Sequence, residues 1–495
     1  MATPIPGNQC VFTATEIVRA ANAAYTGDSG LNIEGIAVDS RKIKPGQLFV
    51  ALRGTHDGHA FVEDAAKLGA AAALVERGRA SDRPPCFEVD DTLVALGQLA
   101  ARHLERTRAD HALPVIAVGG AAGKTSTKEL TAAIARALFG QVLATTGNLN
   151  NLIGVPMTLF TLTDADRAAV IECGTNQPGE IARLGQIVRP DVAIVLNADI
   201  EHTEGLGSLE GVADEEAALF GTARIAVTGA GETMLLERIP KGMRTVIFGT
   251  SSAADVRLRA RTVIAPGRQR IELALPPSMI EADLRLDRDQ FAREEETEAQ
   301  LDFPLDLLGA ASALNAAAAV AAIAAAHGRP LSLAQLTAIA AALETVKPVP
   351  GRLATREVGE VVVIDDTYNA NPRSVRVALE AARETADGLK TRLIVALGDM
   401  LELGALAPAM HADALRAVIR ANPDICILVG PELGAAARTA ASTSGSGYDP
   451  NKIAFAANSV AAIHAVRQLL RPKDVLLVKG SRGIAMEKII DGLAH

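Results

Sequence analysis

The 495-residue chain has little cysteine: Cys10, Cys86, Cys173 and Cys426 are its only four. They lie far apart, with neither CxxC nor metal-ligand spacing, which argues against a disulfide framework or a structural zinc and fits a reducing cytoplasm. Basic charge is also short. Lys+Arg 49 against Asp+Glu 58 leaves a net charge of −9. A nucleic-acid protein needs a basic face to displace counterions, so no nucleic-acid partner is expected. A local basic pocket for a phosphorylated small molecule stays open. Long apolar runs are missing as well. The stretch 310–326 is mostly alanine, holds Ser312 and Asn315, and reads as a buried helix rather than a membrane span. The opening MATPIPGNQC has no basic segment followed by an apolar core, so no secretory signal is expected. No internal repeat is visible.

What is present is globular: 49% hydrophobic and 22% charged residues. The length suggests about three domains. Early on, GIAVDSRKIKPGQLFVALRG reads as strand, Pro45-Gly46 turn and strand, followed by a helix over 61–68, a strand over 71–75 and a helix over 91–106. Further apolar strands are expected at 115–118, 168–171 and 192–196, and, past a linker near Val346-Lys347-Pro348, at 361–364, 392–397, 425–429 and 475–478. Helical patterns separate them, which implies α/β units with parallel sheets. The charge-dense segment 283–300 and the STSGSGYDP segment 442–450 read as solvated surface.

The sharpest local signal is VIAVGGAAGKTST, residues 115–127, where an apolar strand enters a glycine-rich loop and an amphipathic helix leaves it. Glycines let backbone N–H groups converge on phosphate oxygens, and the helix N-terminus adds its positive end. Lys124 would neutralise β- and γ-phosphate charge, and the Thr125 hydroxyl would bind Mg²⁺. The general P-loop glycine is missing, since Val118 stands five positions before Gly123. The shorter form Gly120-x-x-Gly123-Lys124-Thr125 remains.

That loop resembles the phosphate loop of the Mur ligase family, ATP-dependent amino-acid and peptide ligases of cell-wall synthesis. The likeness extends through Asn148-Leu-Asn150-Asn151, Glu172 at a strand end, Asn197-x-x-x-Glu201-His202, Gly351-Arg352, the DDTYNANP run 365–372, LGDMLELG at 397–404 with His411, and Lys479-Gly480-Ser481-Arg482. Asp39-Ser40-Arg41 and Gly54…Asp57-Gly58-His59 resemble the family's UDP-sugar-binding domain. The DDTYNANP and LGDMLELG runs are most similar to members that add D-alanyl-D-alanine to UDP-N-acetylmuramoyl-tripeptide. Another amino-acid ligase of Mur or folylpolyglutamate type, or a non-catalytic relative, is the alternative.

The resemblance implies three α/β domains: 1–108 for the UDP-muramoyl peptide, a central P-loop parallel-sheet domain 109–346 for ATP, and a Rossmann-like domain 347–495 for D-Ala-D-Ala. It implies ATP and Mg²⁺, with Thr125, Glu172 and His202 as metal ligands and Lys124, Glu172, His202 and Glu216 as catalytic. Gly120, Ala121, Ala122, Gly123, Lys124, Thr125, Ser126, Asn315, Arg352 and Asp366 would contact ATP. Ser40, Arg41, Asn151, Tyr368, Asn371, Lys479 and Arg482 would contact the other substrates. A monomer is expected. The chain departs from the family at Gly119, where threonine is usual, at Ala121-Ala122, and at Ala311-Ser312. It also departs at Glu216, which aligns with a lysine that many members carry carbamylated. Glu216 or Glu215 would then supply that carboxylate to a second Mg²⁺.

Overall fold

The computed structural model describes residues 3–200, 203–281, 298–443 and 445–493. The N-terminal part holds an all-parallel four-stranded sheet, Ile36–Ala37, Leu48–Val50, Ala72–Glu76 and Cys86–Val89, beside a small antiparallel ribbon. The expected early elements are there with shifted ends: the helices run Val62–Lys67 and Thr92–Asp110.

The central nine-stranded sheet carries Val142–Ala144, Ala168–Glu172, Val115–Gly119, Val192–Val195, Ile225–Gly229 and Arg244–Gly249 in that spatial order, all parallel. The inner strands Ala168–Glu172, Val115–Gly119 and Val192–Val195 are buried on both faces, as a parallel sheet covered by helices requires. Three more strands, Val256–Ala265, Arg268–Leu275 and Ala299–Leu305, extend it, the last two pairings antiparallel. This antiparallel extension adds to the parallel sheet expected from the sequence. Gln300, assigned to a solvated segment, lies in its edge strand, and 282–297 lie outside the described residues.

The alanine-rich helix is Gly309–His327. By length and apolarity alone it could cross a membrane, but 72% of that stretch is buried inside the protein. Small side chains let it pack closely between the phosphate-loop helix Lys124–Phe139, strands of the central sheet and the helix Pro372–Leu389.

The C-terminal six-stranded sheet runs Ala354–Val358, Val361–Asp366, Val475–Lys479, Leu393–Gly398, Ile425–Val429 and Ile453–Ala456, parallel except for its first strand. It is tied to the central part by ion pairs: Arg261 with both oxygens of Glu384 at 2.8 and 2.7 Å, Arg373–Glu232 at 2.8 Å and Arg376–Asp199 at 3.2 Å.

Candidate active site

The C-terminal ends of strands from both sheets open on one cleft of about 840 Å³. This is where open α/β sheets bind ligands, because loops and helix N-termini converge there. On the central side the cleft is lined by Ala121, Ala122, Gly123, Lys124 and Ser126, with Asn151, Glu172 and Asn315. On the other side stand Arg352, Asp366, Tyr368, Asn371, Lys479 and Arg482. Fourteen expected site residues, dispersed over some 360 positions, are thus gathered around one space.

The phosphate loop is held from beneath. Its Ala121 amide donates to the Asn197 carbonyl at 3.0 Å, and its Ala122 amide to Asn197 Oδ1 at 2.8 Å, while Asn197 Nδ2 donates back to the Ala122 carbonyl at 2.9 Å. The Gly120 amide donates to Glu216 Oε2 at 2.6 Å. This corrects the expectation that the amides of Gly120, Ala121 and Ala122 cradle phosphate, because all three already have acceptors within the protein. The first-turn amides of Lys124–Phe139 by helix geometry lack acceptors within the helix. Gly123, at φ +91°, has a backbone conformation that residues with a side chain rarely adopt, and a Cβ there would also crowd the Asn315 amide at 2.9 Å. Lys124 Nζ donates to the Gly120 carbonyl at the same loop.

Three buried oxygens near this helix start have no hydrogen-bond partner among the described residues: Thr127 Oγ1 and, in the two residues expected at the metal, Thr125 Oγ1 and Glu172 Oε2. Both residues are almost wholly buried. Leaving such groups unsatisfied is costly, so a ligand that completes them is the physical expectation. A hydroxyl and a carboxylate are hard oxygen donors of the kind Mg²⁺ takes, one or two from protein and the rest from phosphate and water. Among the described residues no group of three or more His, Cys, Asp or Glu could hold a metal. Glu172 is oriented by Asn150, whose Nδ2 donates to Oε1 at 2.9 Å. His202 lies outside the described residues.

Glu215 and Glu216 have separate partners. Glu215 accepts the Ile181 and Gly179 amides at 2.7 Å each and the Thr175 hydroxyl at 3.2 Å. It therefore caps the helix Glu180–Val188, a favourable place for a carboxylate, and both its oxygens are engaged. That corrects the option of Glu215 as a metal ligand. Glu216 lies under the loop and is not among the cleft-lining residues.

Across the cleft, Lys479 is 1% exposed, with its ammonium 2.6 Å from Asp366 Oδ2 and 2.9 Å from the Asn369 carbonyl. Asp366 also accepts the Leu353 amide at 3.1 Å. These bonds engage both residues with each other and with backbone, against the expectation of Lys479 as an open cation for substrate. Arg482 is half exposed. Its guanidinium lies 5.9 Å from the Tyr368 ring centre, and that of Arg352 4.1 Å, a cation–π contact. Asn371 caps the helix Pro372–Leu389 through the Ser374 amide at 2.8 Å. Asp399 and His411 hold backbone: Asp399 accepts the Glu432 and Leu433 amides, and His411 Nε2 accepts the Met400 amide at 3.0 Å.

Ser40 and Arg41 do not line the cleft. They sit in the N-terminal part, where Arg41 is 86% exposed and bonds Asp39, holding that carboxyl below its usual range. Asn150, Asn197 and Thr145 were not assigned roles from sequence, although the first two fall within the matched motifs. Thr145, whose hydroxyl accepts the Glu172 amide at 2.9 Å, carries no local signal.

Family models match along most of the chain: the Mur ligase family catalytic domain over residues 32–104, the Mur ligase middle domain over 118–323, and the Mur ligase glutamate ligase domain over 351–482. A UDP-N-acetylmuramoyl-tripeptide–D-alanyl-D-alanine ligase of Escherichia coli K12 is 34% identical over 493 residues, covering 97% of this chain and 98% of its own length. This chain belongs to the Mur ligase family. Within the family, the Bacillus subtilis ligase of the same name is 30% identical, covering 93% of each chain. The crystal structure of MurF from Acinetobacter baumannii superposes with a TM-score of 0.82 at 28% identity, covering 99% of this chain and 100% of that one. The three-domain α/β fold expected from the resemblance is the family's fold.

Proposed function

We propose that this chain joins D-alanyl-D-alanine to the terminal carboxylate of UDP-N-acetylmuramoyl-tripeptide, with conversion of ATP to ADP and phosphate. The observation that carries the reading is the pair of orphaned oxygens, Thr125 Oγ1 and Glu172 Oε2, at a phosphate loop that faces a second domain across one cleft. Full-length likeness to relatives bearing that activity in their names supports it.

A carboxylate resists attack by an amine because further negative charge would accumulate on an anion. Transfer of the γ-phosphoryl of ATP to the carboxylate oxygen gives an acyl phosphate and ADP. The dipeptide amine then attacks the acyl carbon, phosphate leaves with the C–O bond, and the amine sheds its proton. Two anions must be brought together for the first step, which needs positive charge and exclusion of water. Lys124 and the first-turn amides of its helix supply protein charge. Thr125 and Glu172 would hold Mg²⁺, with His202 as a further ligand; the ion neutralises phosphate charge. Asn150 orients Glu172, Asn315 and Ser126 face the nucleotide, and Arg352 is placed for its phosphates.

For the dipeptide we assign Arg482 to the free carboxylate, with Lys479 and Asp366 holding the loop that carries Tyr368. Asn151 would face the peptide substrate, and Ser40 and Arg41 its UDP end. We keep the division 1–108, 109–346 and 347–495 for the three substrates, a monomer as the working unit, and the cytoplasm, where ATP is made available, as its location. The test is phosphate release from ATP with each substrate omitted in turn. Release that needs both the tripeptide nucleotide and D-Ala-D-Ala is expected; equal release with a single amino acid in place of the dipeptide would refute the assignment.

A further inference from the structure

We propose that Glu216 is a positioning residue of the phosphate loop, acting through the Gly120 amide, and that residue 119 is glycine because Glu216 occupies the space a side chain would need. The inference rests on the ATP reading of that loop and adds a residue to it.

The local structure follows from the sequence. Ser208 caps the helix Leu209–Ala217 by accepting the Gly211 amide at 3.1 Å. Neighbouring residues on a helix point about 100° apart. Glu215 therefore faces the start of Glu180–Val188, while Glu216 faces the end of Val115–Gly119. Glu216 is 2% exposed. Its Oε2 takes the Gly120 N–H at 2.6 Å, a short bond of the charge-assisted kind. Gly120, at φ +119°, turns the chain there, so this bond sets the plane from which the rest of the loop rises. Asn197 holds the next two residues. Together Glu216 and the side chain and carbonyl of Asn197 fix 120–122 and leave the helix start facing the cleft.

Gly119 has no left-handed backbone, so alanine would be admissible by conformation. Space is tight instead: a Cβ would stand 3.0 Å from Glu216 Oε2 and 3.2 Å from Leu219 Cδ2, so these side chains would have to give by a few tenths of an ångström. The carboxylate cannot yield there without lengthening its bond to Gly120. Its negative charge, moreover, works against an anion above the loop. What the loop needs from Glu216 is an acceptor oxygen, and glutamine keeps one.

The experiment measures calorimetric Kd for a non-hydrolysable ATP analogue, KM for each substrate, and melting temperature in Glu216→Gln, Glu216→Ala, Gly119→Ala and the double alanine variant. Glu216→Gln should bind within about threefold of wild type, whereas Glu216→Ala should weaken analogue binding about tenfold or more. The KM for D-Ala-D-Ala should stay unchanged in both. Gly119→Ala should weaken the analogue in the parent background but add little to Glu216→Ala, the mark of two residues sharing one interaction. Equal damage in the Gln and Ala variants with a raised Mg²⁺ requirement would overturn the proposal and make Glu216 a metal ligand. Independent, multiplying effects of the two alanines would also overturn it. Should Glu216→Ala fail to fold, Glu216→Asp draws the carboxylate back one methylene, and Gly119→Ala must then be milder in that background. Wild type that binds no analogue refutes the ATP reading itself.

Discussion

The two walls of the cleft use their polar side chains differently. On the central side, Glu172 in the wall and Thr125 at the start of the phosphate-loop helix each keep a buried oxygen without a protein partner among the described residues. On the C-terminal side the motif residues are mostly engaged within the protein: Lys479 bonds Asp366 in the wall, and away from the cleft lining Asp399 caps the helix Pro431–Ala441 and His411 holds the Met400 amide. One wall is prepared for a ligand; the other is a tied frame presenting Tyr368, Arg352 and Arg482. Identical motif status in a sequence therefore covers two physical jobs, completing a ligand and completing the fold.

Substitutions can break this contrast. The largest effect is expected for Lys124→Met, which removes charge where the phosphoryl moves: a loss of about a hundredfold or more in kcat, with little change in melting temperature. Lys479→Met should do the reverse. It strands the Asp366 carboxylate in a buried place, at a cost of about 3–5 kcal/mol in urea unfolding, and Lys479→Met/Asp366→Asn should recover part of that. If Lys479→Met instead left stability intact and raised only the KM for D-Ala-D-Ala, the tied-frame reading would fail. Arg482→Ala sharpens the comparison within one wall. A rise of about tenfold in that KM, with the KM for ATP unchanged, is expected from loss of a charged hydrogen bond.

The smallest effect lies away from the cleft. His103 is buried, with Nε2 donating to the Leu162 carbonyl and Arg106 nearby. Desolvation lowers its pKa from the ordinary value, so the folded state resists a proton that the unfolded chain takes up near pH 6.5. Its contribution is intact above that pH and is lost as pH falls toward the lowered value. Chemical unfolding from pH 7.5 to 5 should show a shallower loss in His103→Gln than in the parent.

Much of this was legible in the chain itself. Buried parallel strands announce themselves as continuous apolar runs, and GKT between strand and helix marks the loop. The alternation in VRLRARTVIA and RQRIELAL also marks strands, and the antiparallel extension escaped notice although period two was there to read. Side chains that hold backbone far along the chain are harder. Glu215 caps the helix Glu180–Val188 through the Ile181 amide, 34 residues earlier, and Glu216 reaches back 96 residues to Gly120. No local pattern encodes such a pairing, because the partner is an amide that every residue has. The glycine at 119, a mere departure from the family in sequence, acquires a reason only beside Glu216.

The central claim is that the helix start at Lys124, with Thr125 and Glu172, receives a magnesium triphosphate. A crystal structure of the protein with a non-hydrolysable ATP analogue and Mg²⁺ tests it most directly. The account predicts phosphate oxygens on the amides of that first turn and the ion bonded to Thr125 Oγ1 and Glu172 Oε2. Triphosphate seated elsewhere, or an ion that leaves both oxygens without a partner, would contradict it.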